Sequence, residues 1–102
     1  MPTPIELDAY VVDVLLPDLI GHDRAPSAFV VYLCLWARTQ GGRRPTGELP
    51  LSELAEATGL SKRSVQDALA HLERRQLVGA TRPAPTSGRS FSVRRPWART
   101  RR

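Results

Sequence analysis

A chain of 102 residues that is 41% hydrophobic and 25% charged can bury one modest core, and it is too evenly mixed to stay disordered. Fifteen Lys and Arg against ten Asp and Glu leave a net charge of +5, with an isoelectric point near 10.6. That balance suits a polyanionic partner. No apolar run reaches the ~20 residues of a membrane span, and the start, MPTPIELDAY, lacks the basic and apolar regions of a secretory signal. A single cysteine, Cys34, excludes an intrachain disulfide and reads as a small buried hydrophobe. A cytoplasmic location and no membrane partner are expected.

Charge is unevenly placed. Residues 1–30 hold Glu6, Asp8, Asp13, Asp18 and Asp23 against Arg24, a local balance of −4. Residues 81–102 hold Arg82, Arg89, Arg94, Arg95, Arg99, Arg101 and Arg102 and no acid, a balance of +7. The basic end is therefore the one that faces a polyanion.

Residues 1–4 read as a frayed start. Over residues 6–16, ELDAYVVDVLL, the side chains Leu7, Val11, Val14 and Leu15 fit a helical stripe, while the Val-rich centre also suits a strand; helix is the preferred reading. Pro17 ends or kinks this element, and PDLIG reads as a short helical turn closed by Gly21. Pro26 opens a second helix, SAFVVYLCLWARTQ, apolar nearly all round and so the centre of a small bundle. Gly41 and Gly42 stop it. Residues 43–47 form a loop, and residues 48–51 are expected to add a short strand.

Ser52 is the predicted N-cap of a helix over residues 53–58. Gly59 then supplies the positive φ of a tight interhelical turn, and Leu60 plugs it. Ser61 caps the next helix, residues 62–76, whose buried stripe is Val65, Ala68, Leu69 and Leu72. After Gln76 the period becomes two: Val78, Ala80, Phe91 and Val93 alternate with polar residues, predicting two strands joined by PAPTSG. The tail RRPWARTRR reads as a disordered arm. The predicted fold class is thus mainly α with a small β-hairpin: a three-helix core, a C-terminal wing and an extra N-terminal helix. The expected organisation is an acidic extension over 1–24, a domain over 25–95 and a basic tail over 96–102.

The segment LSELAEATGLSKRSVQDALAHLERRQLV resembles the winged helix-turn-helix of the GntR and MarR regulator groups. It is also similar to the DNA-binding domains of phage and plasmid replication initiators. Leu54, Ala55, Gly59, Leu60, Val65 and Ala68 fall where that motif places them; Thr58 departs from its usual aliphatic residue. The resemblance implies sequence-specific binding of double-stranded DNA, with the recognition helix, residues 61–76, in the major groove. Carried across by position, Ser61, Lys62, Arg63, Ser64, Gln66 and Asp67 face the DNA.

The chemistry of those residues agrees. Arg63 or Lys62 can pair with guanine, Gln66 with adenine, and Ser61 and Ser64 with phosphate, while Asp67 either accepts from cytosine or answers the positive end of its own helix. Arg82 and Arg89 bracket the wing loop and suit a minor groove or phosphates. Arg94 and Arg95 belong to the arm, which supplies salt-dependent attraction blind to sequence. His71 reads as a surface residue, and two histidines, His22 and His71, do not suggest a metal site. No catalytic constellation, Gly-rich phosphate loop or cofactor motif is evident, so the expectation is a non-enzymatic protein, a small transcriptional regulator. A protein-interaction module with an acidic face, an RNA-binding domain, and a component of a replication or partition system are the alternative readings. A homodimer through Leu7, Val11, Val14 and Leu15 of the N-terminal segment is also expected.

Overall fold

The computed structural model describes residues 3–82 and 88–98. The N-terminal segment is helical, but not as an ordinary α-helix. Two π-helical stretches, π1 (Val11–Leu15) and π2 (Asp18–His22), flank Leu16 and Pro17. Pro17 has helical dihedrals, φ −66° and ψ −28°, and has no N–H to give. The wider i→i+5 turns on either side carry the helix past that missing donor: the Leu16 N–H donates to Val11 O, and the Asp23 N–H to Asp18 O. Gly21 does not close the helix. It ends at Asp23, and Arg24 takes a positive φ of 55°.

The wide turns decide which face is inside. Val11, Leu15 and Leu19 recur every four residues and are buried in the chain's own core. The predicted pairing stripe is corrected accordingly: Val11 and Leu15 are unavailable to another copy, whereas Leu7 and Val14 are exposed.

Helix α1 (Pro26–Arg38) has Pro26 in its first turn and buries Ala28, Phe29, Val31, Tyr32, Leu35 and Trp36. It lies at the centre, touching π2 and both helices that follow, as well as the hairpin. Thr39 closes it: the fully buried hydroxyl donates to Leu35 O at 2.8 Å and accepts from the Gly42 N–H at 3.1 Å. Gly42 needs its glycine twice, for a φ of +88° and because a Cβ would stand 2.9 Å from Val93 O.

No strand forms over residues 48–51. The chain passes beside the hairpin with separate bonds instead, Thr46 N–H to Phe91 O at 2.8 Å and Leu49 N–H to Arg89 O at 3.0 Å. Pro50 then starts a helix rather than extending the pairing. Helix α2 (Leu51–Thr58) begins before the predicted Ser52 cap; its N-cap is Pro50, in extended conformation, with no side-chain bond. Burial of Leu49 and Leu54 sets this earlier start.

Helix α3 (Lys62–Arg74) stops two residues short of its predicted end, where Gln76 turns to φ 59°. The Leu77 N–H closes back on Leu72 O at 2.9 Å. Strands β1 (Val78–Thr81) and β2 (Ser90–Val93) pair antiparallel, Val78 opposite Val93 and Ala80 opposite Phe91. The period-two pattern puts Val78, Phe91 and Val93 into the core. Most of the loop predicted between the strands lies outside the described residues.

The layout is mainly α with a small β wing, as the sequence predicts. Among the described residues no helix is long and apolar enough to cross a membrane. The start of the basic tail is not a free arm. The Arg94 N–H donates to Leu77 O, and Tyr32 Oη donates to Arg94 O at 3.0 Å. Arg95 Nε and Trp97 Nε1 both donate to Asp8 Oδ2 at 3.0 Å, and Trp97 stacks on Tyr10 with ring centres 4.5 Å apart. An acid and an aromatic from the N-terminal segment therefore hold this part of the tail. Arg99, Arg101 and Arg102 lie outside the described residues.

Candidate nucleic-acid interface

The turn between α2 and α3 positions everything that follows. Gly59 has φ 80°, and its N–H returns to Ala55 O at 2.9 Å, ending α2 in the left-handed conformation. Nothing lies within 4 Å of where its Cβ would be, so glycine is there for the backbone angle alone. Thr58, where the motif usually has an aliphatic residue, donates its hydroxyl to Leu54 O at 2.7 Å and accepts from the Leu60 N–H at 3.3 Å.

Ser61 caps α3 as the sequence predicts. Its Oγ accepts from the Ser64 N–H at 3.0 Å and donates to Ser64 Oγ at 3.1 Å. The Lys62 and Arg63 N–H groups, ahead of the first bonded turn, would face solvent or a bound anion. Ser61→Ala is expected to cost about 1 kcal/mol. A urea titration read by circular dichroism checks it, and an unchanged midpoint would contradict the capping role.

Burying Val65, Ala68, Leu69 and Leu72 turns the opposite side of α3 outward. Lys62, Arg63, Gln66, Asp67 and Ala70 are exposed there, with Ser64 half-buried. Arg63 Nε lies 3.7 Å from Asp67 Oδ2, but both side chains are largely in solvent, so the pair holds neither firmly.

A groove of about 520 Å³ runs beside this face. Gln66, Ala70 and Glu73 form its α3 wall, residues 49–51 its floor near the start of α2, and Arg82, Arg89 and Phe91 its wing side. Arg89 is half-buried, with its guanidinium 5.2 Å from the Phe91 ring centre and 3.7 Å from a Glu73 oxygen. Arg82 is exposed.

The structure thus brings Gln66, Arg82 and Arg89 around one groove, beside Ser61, Lys62, Arg63, Ser64 and Asp67 at the end of α3. Arg94 is exposed, with its guanidinium packed against Gly79. Arg95 is not brought here: it is half-buried against Asp8, Gly41 O and the Trp36 ring.

A second polar cluster lies at the other end of α3 and was not foreseen. His71 is not a plain surface residue; its Nε2 is 2.7 Å from Asp23 Oδ2. Arg75 bonds the same oxygen through Nη1 and reaches Asp18 Oδ2 at 2.6 Å through Nη2. His22 Nδ1 lies 3.0 Å from Asp23 Oδ1. Hydrogen bonds from His22, His71 and Arg75 hold the Asp23 carboxyl far below the usual carboxylate range. The bond to Asp23, with help from Asp18, raises the His22 imidazole.

Asp18, His22 and Asp23 bring ligand atoms within 4.8 Å of one another. The Arg75 guanidinium already bonds one carboxylate oxygen of each aspartate, where a metal ion would have to compete with it. The cluster fastens π2 to the end of α3, about 20 Å from Ser61. Its sequence signal was the i, i+4 pair His71 and Arg75 on one helix face, opposite an acidic segment.

Comparison of the chain with family models, with curated proteins and with solved structures finds no match.

Proposed function

We propose that this chain binds double-stranded DNA in a sequence-specific manner as a small winged helix-turn-helix protein, and that it acts as a transcriptional regulator. The reading rests on one observation. The Ser61-capped end of α3 presents Lys62, Arg63, Gln66 and Asp67 outward, and Arg82 and Arg89 line the groove beside it. A capped helix end with a cation and an amide on one face suits major-groove bases, and flanking wing arginines suit phosphates. The sequence resemblance to GntR and MarR regulators, and to replication-initiator domains, points the same way.

A module that meets a basic protein through an acidic N-terminal face is less well supported. Asp8, Asp18 and Asp23 are already bonded to Arg95, Arg75 and His71 of the same chain.

Selection from a random duplex library at physiological salt is expected to return a defined motif. Arg63→Ala or Gln66→Ala should then weaken binding to that motif by about 1–3 kcal/mol and relax choice at one or two base pairs. Both positions lie off the buried stripe, so folding should survive. Wild-type affinity and an unchanged motif in both variants would overturn the proposed docking. Preference for single-stranded RNA over duplex would overturn the DNA assignment itself.

A further inference from the structure

The face of α3 that carries Gln66 continues toward the wing. Gln66, Ala70 and Glu73 stand four and three residues apart, so they share one side of the helix, and all three line the groove. Glu73 stands about 10 Å along the helix from Gln66. Among the described residues it is the only acid that lines the groove, opposite Arg82 and Arg89. A carboxylate on the side that faces a polyanion works against binding.

We propose that Glu73 is a built-in counter-anion, which lowers the affinity of this protein for every duplex by competing with backbone phosphate for Arg89. This role presupposes the duplex binding proposed above. The placement of Arg89 carries it. Its backbone is fixed, since Arg89 O accepts the Leu49 N–H at 3.0 Å. Its guanidinium lies over the Phe91 ring, with Nη2 3.7 Å from Glu73 Oε2. The Arg89 and Glu73 side chains are 39% and 36% exposed, against 85% and 72% for Arg63 and Asp67. Water and salt therefore screen the groove pair less. At 3.7 Å the two groups attract by charge and share no hydrogen bond, so a phosphate oxygen can take the guanidinium N–H groups directly.

The floor of the groove favours an anion at the same place. Residues 49–51 bring the start of α2 there, and its N-cap, Pro50, makes no side-chain bond to the opening turn. That helix end and Arg82 add to the attraction of Arg89 for a phosphate. The other nearby acids do not line the groove: Glu53 pairs with Arg38, and Glu48 packs beside Gly88. A bound phosphate and the Glu73 carboxylate thus contend for one guanidinium and repel each other. The contest is blind to base sequence, so Glu73 limits phosphate-driven binding and leaves base choice to Arg63 and Gln66.

Fluorescence anisotropy of the full chain with two duplexes, one carrying the selected motif and one of random sequence, tests the proposal. Glu73→Gln keeps the size of the side chain and removes its charge. It should tighten binding to both duplexes by a similar factor, roughly two- to fivefold. The salt slope should steepen by about 0.9, the signature of one further phosphate contact. In an Arg89→Ala background the same change should alter neither affinity nor slope. Asp13→Asn, an equal charge change at an exposed position of the N-terminal helix, should also alter neither. Three results overturn the role of Glu73: unchanged affinity and slope in Glu73→Gln, weaker binding by that variant, or an equal gain from Asp13→Asn or without Arg89. A wild type that binds neither duplex overturns the DNA reading, and the role of Glu73 falls with it. A wild type that binds duplex while these contrasts fail overturns the role of Glu73 alone.

Discussion

Val11→Asp is expected to unfold the protein at neutral pH. Val11 is 0% exposed and belongs to the same core as Leu15, Leu19, Tyr32 and Trp36. A carboxylate there has no buried cation to meet among those apolar neighbours. Its desolvation costs several kcal/mol even after relaxation. At roughly 0.05–0.15 kcal/mol per residue, a domain of this size has little more than that in total. Thermal melts followed by circular dichroism should show the cooperative transition abolished or moved down by tens of degrees. Val12→Asp, one residue along but 48% exposed, should melt within a few degrees of the wild type. A cooperative melt of Val11→Asp within a few degrees of wild type would mean that the N-terminal helix is not part of the core.

The second large effect belongs to Asp23. Its side chain is only 10% exposed and takes hydrogen bonds from His71 and Arg75, with His22 against its other oxygen. Asp23→Ala leaves those donors unmet and should cost about 2–3 kcal/mol, the scale of hydrogen bonds to a charged group.

The pH dependence follows from the direction of each shift. The folded-state pKa of Asp23 is depressed, so its contribution is complete above the ordinary carboxylate value of about 3.9 and is lost as pH falls toward the folded value. The pKa of His22 is raised, so its contribution is complete below about 6.5 and is lost as pH rises through the folded value. The cluster therefore stabilises most between about pH 5 and 6.5. Urea titrations from pH 3 to 8 should show the wild type losing stability on the acid side, with Asp23→Asn flatter below pH 5. Parallel profiles would show that Asp23 is not the group responsible.

Whatever depended on neighbours in the chain was legible in the sequence. Gly59 marked a left-handed turn, Ser61 marked a cap, and Val65, Ala68, Leu69 and Leu72 marked the inner face of α3. The alternation of Val78 with Ala80, and of Phe91 with Val93, carried both strands and their facing. These features rest on backbone angles and on side-chain periods of 3.6 and 2, which a few consecutive residues determine. The candidate readers on α3 followed directly, because a helix with a known inner face has a known outer one.

What lay beyond that reach was decided by the tertiary structure. The N-terminal helix did not follow the α period: Pro17 and the π turns around it brought Leu19 inside and left Val14 out. The start of α2 moved because Leu49 is held against Arg89 across the fold. His71 and Arg75 found Asp23 and Asp18 from 48 to 57 residues away, and Arg95 found Asp8 from 87 residues away. The sequence by itself determined the two helices joined at Gly59, the hairpin and the basic character of the chain. Only the folded core decided which charges remain for a partner and which hold the two ends of the chain together, since an ion pair depends on distance in space, which local patterns do not encode.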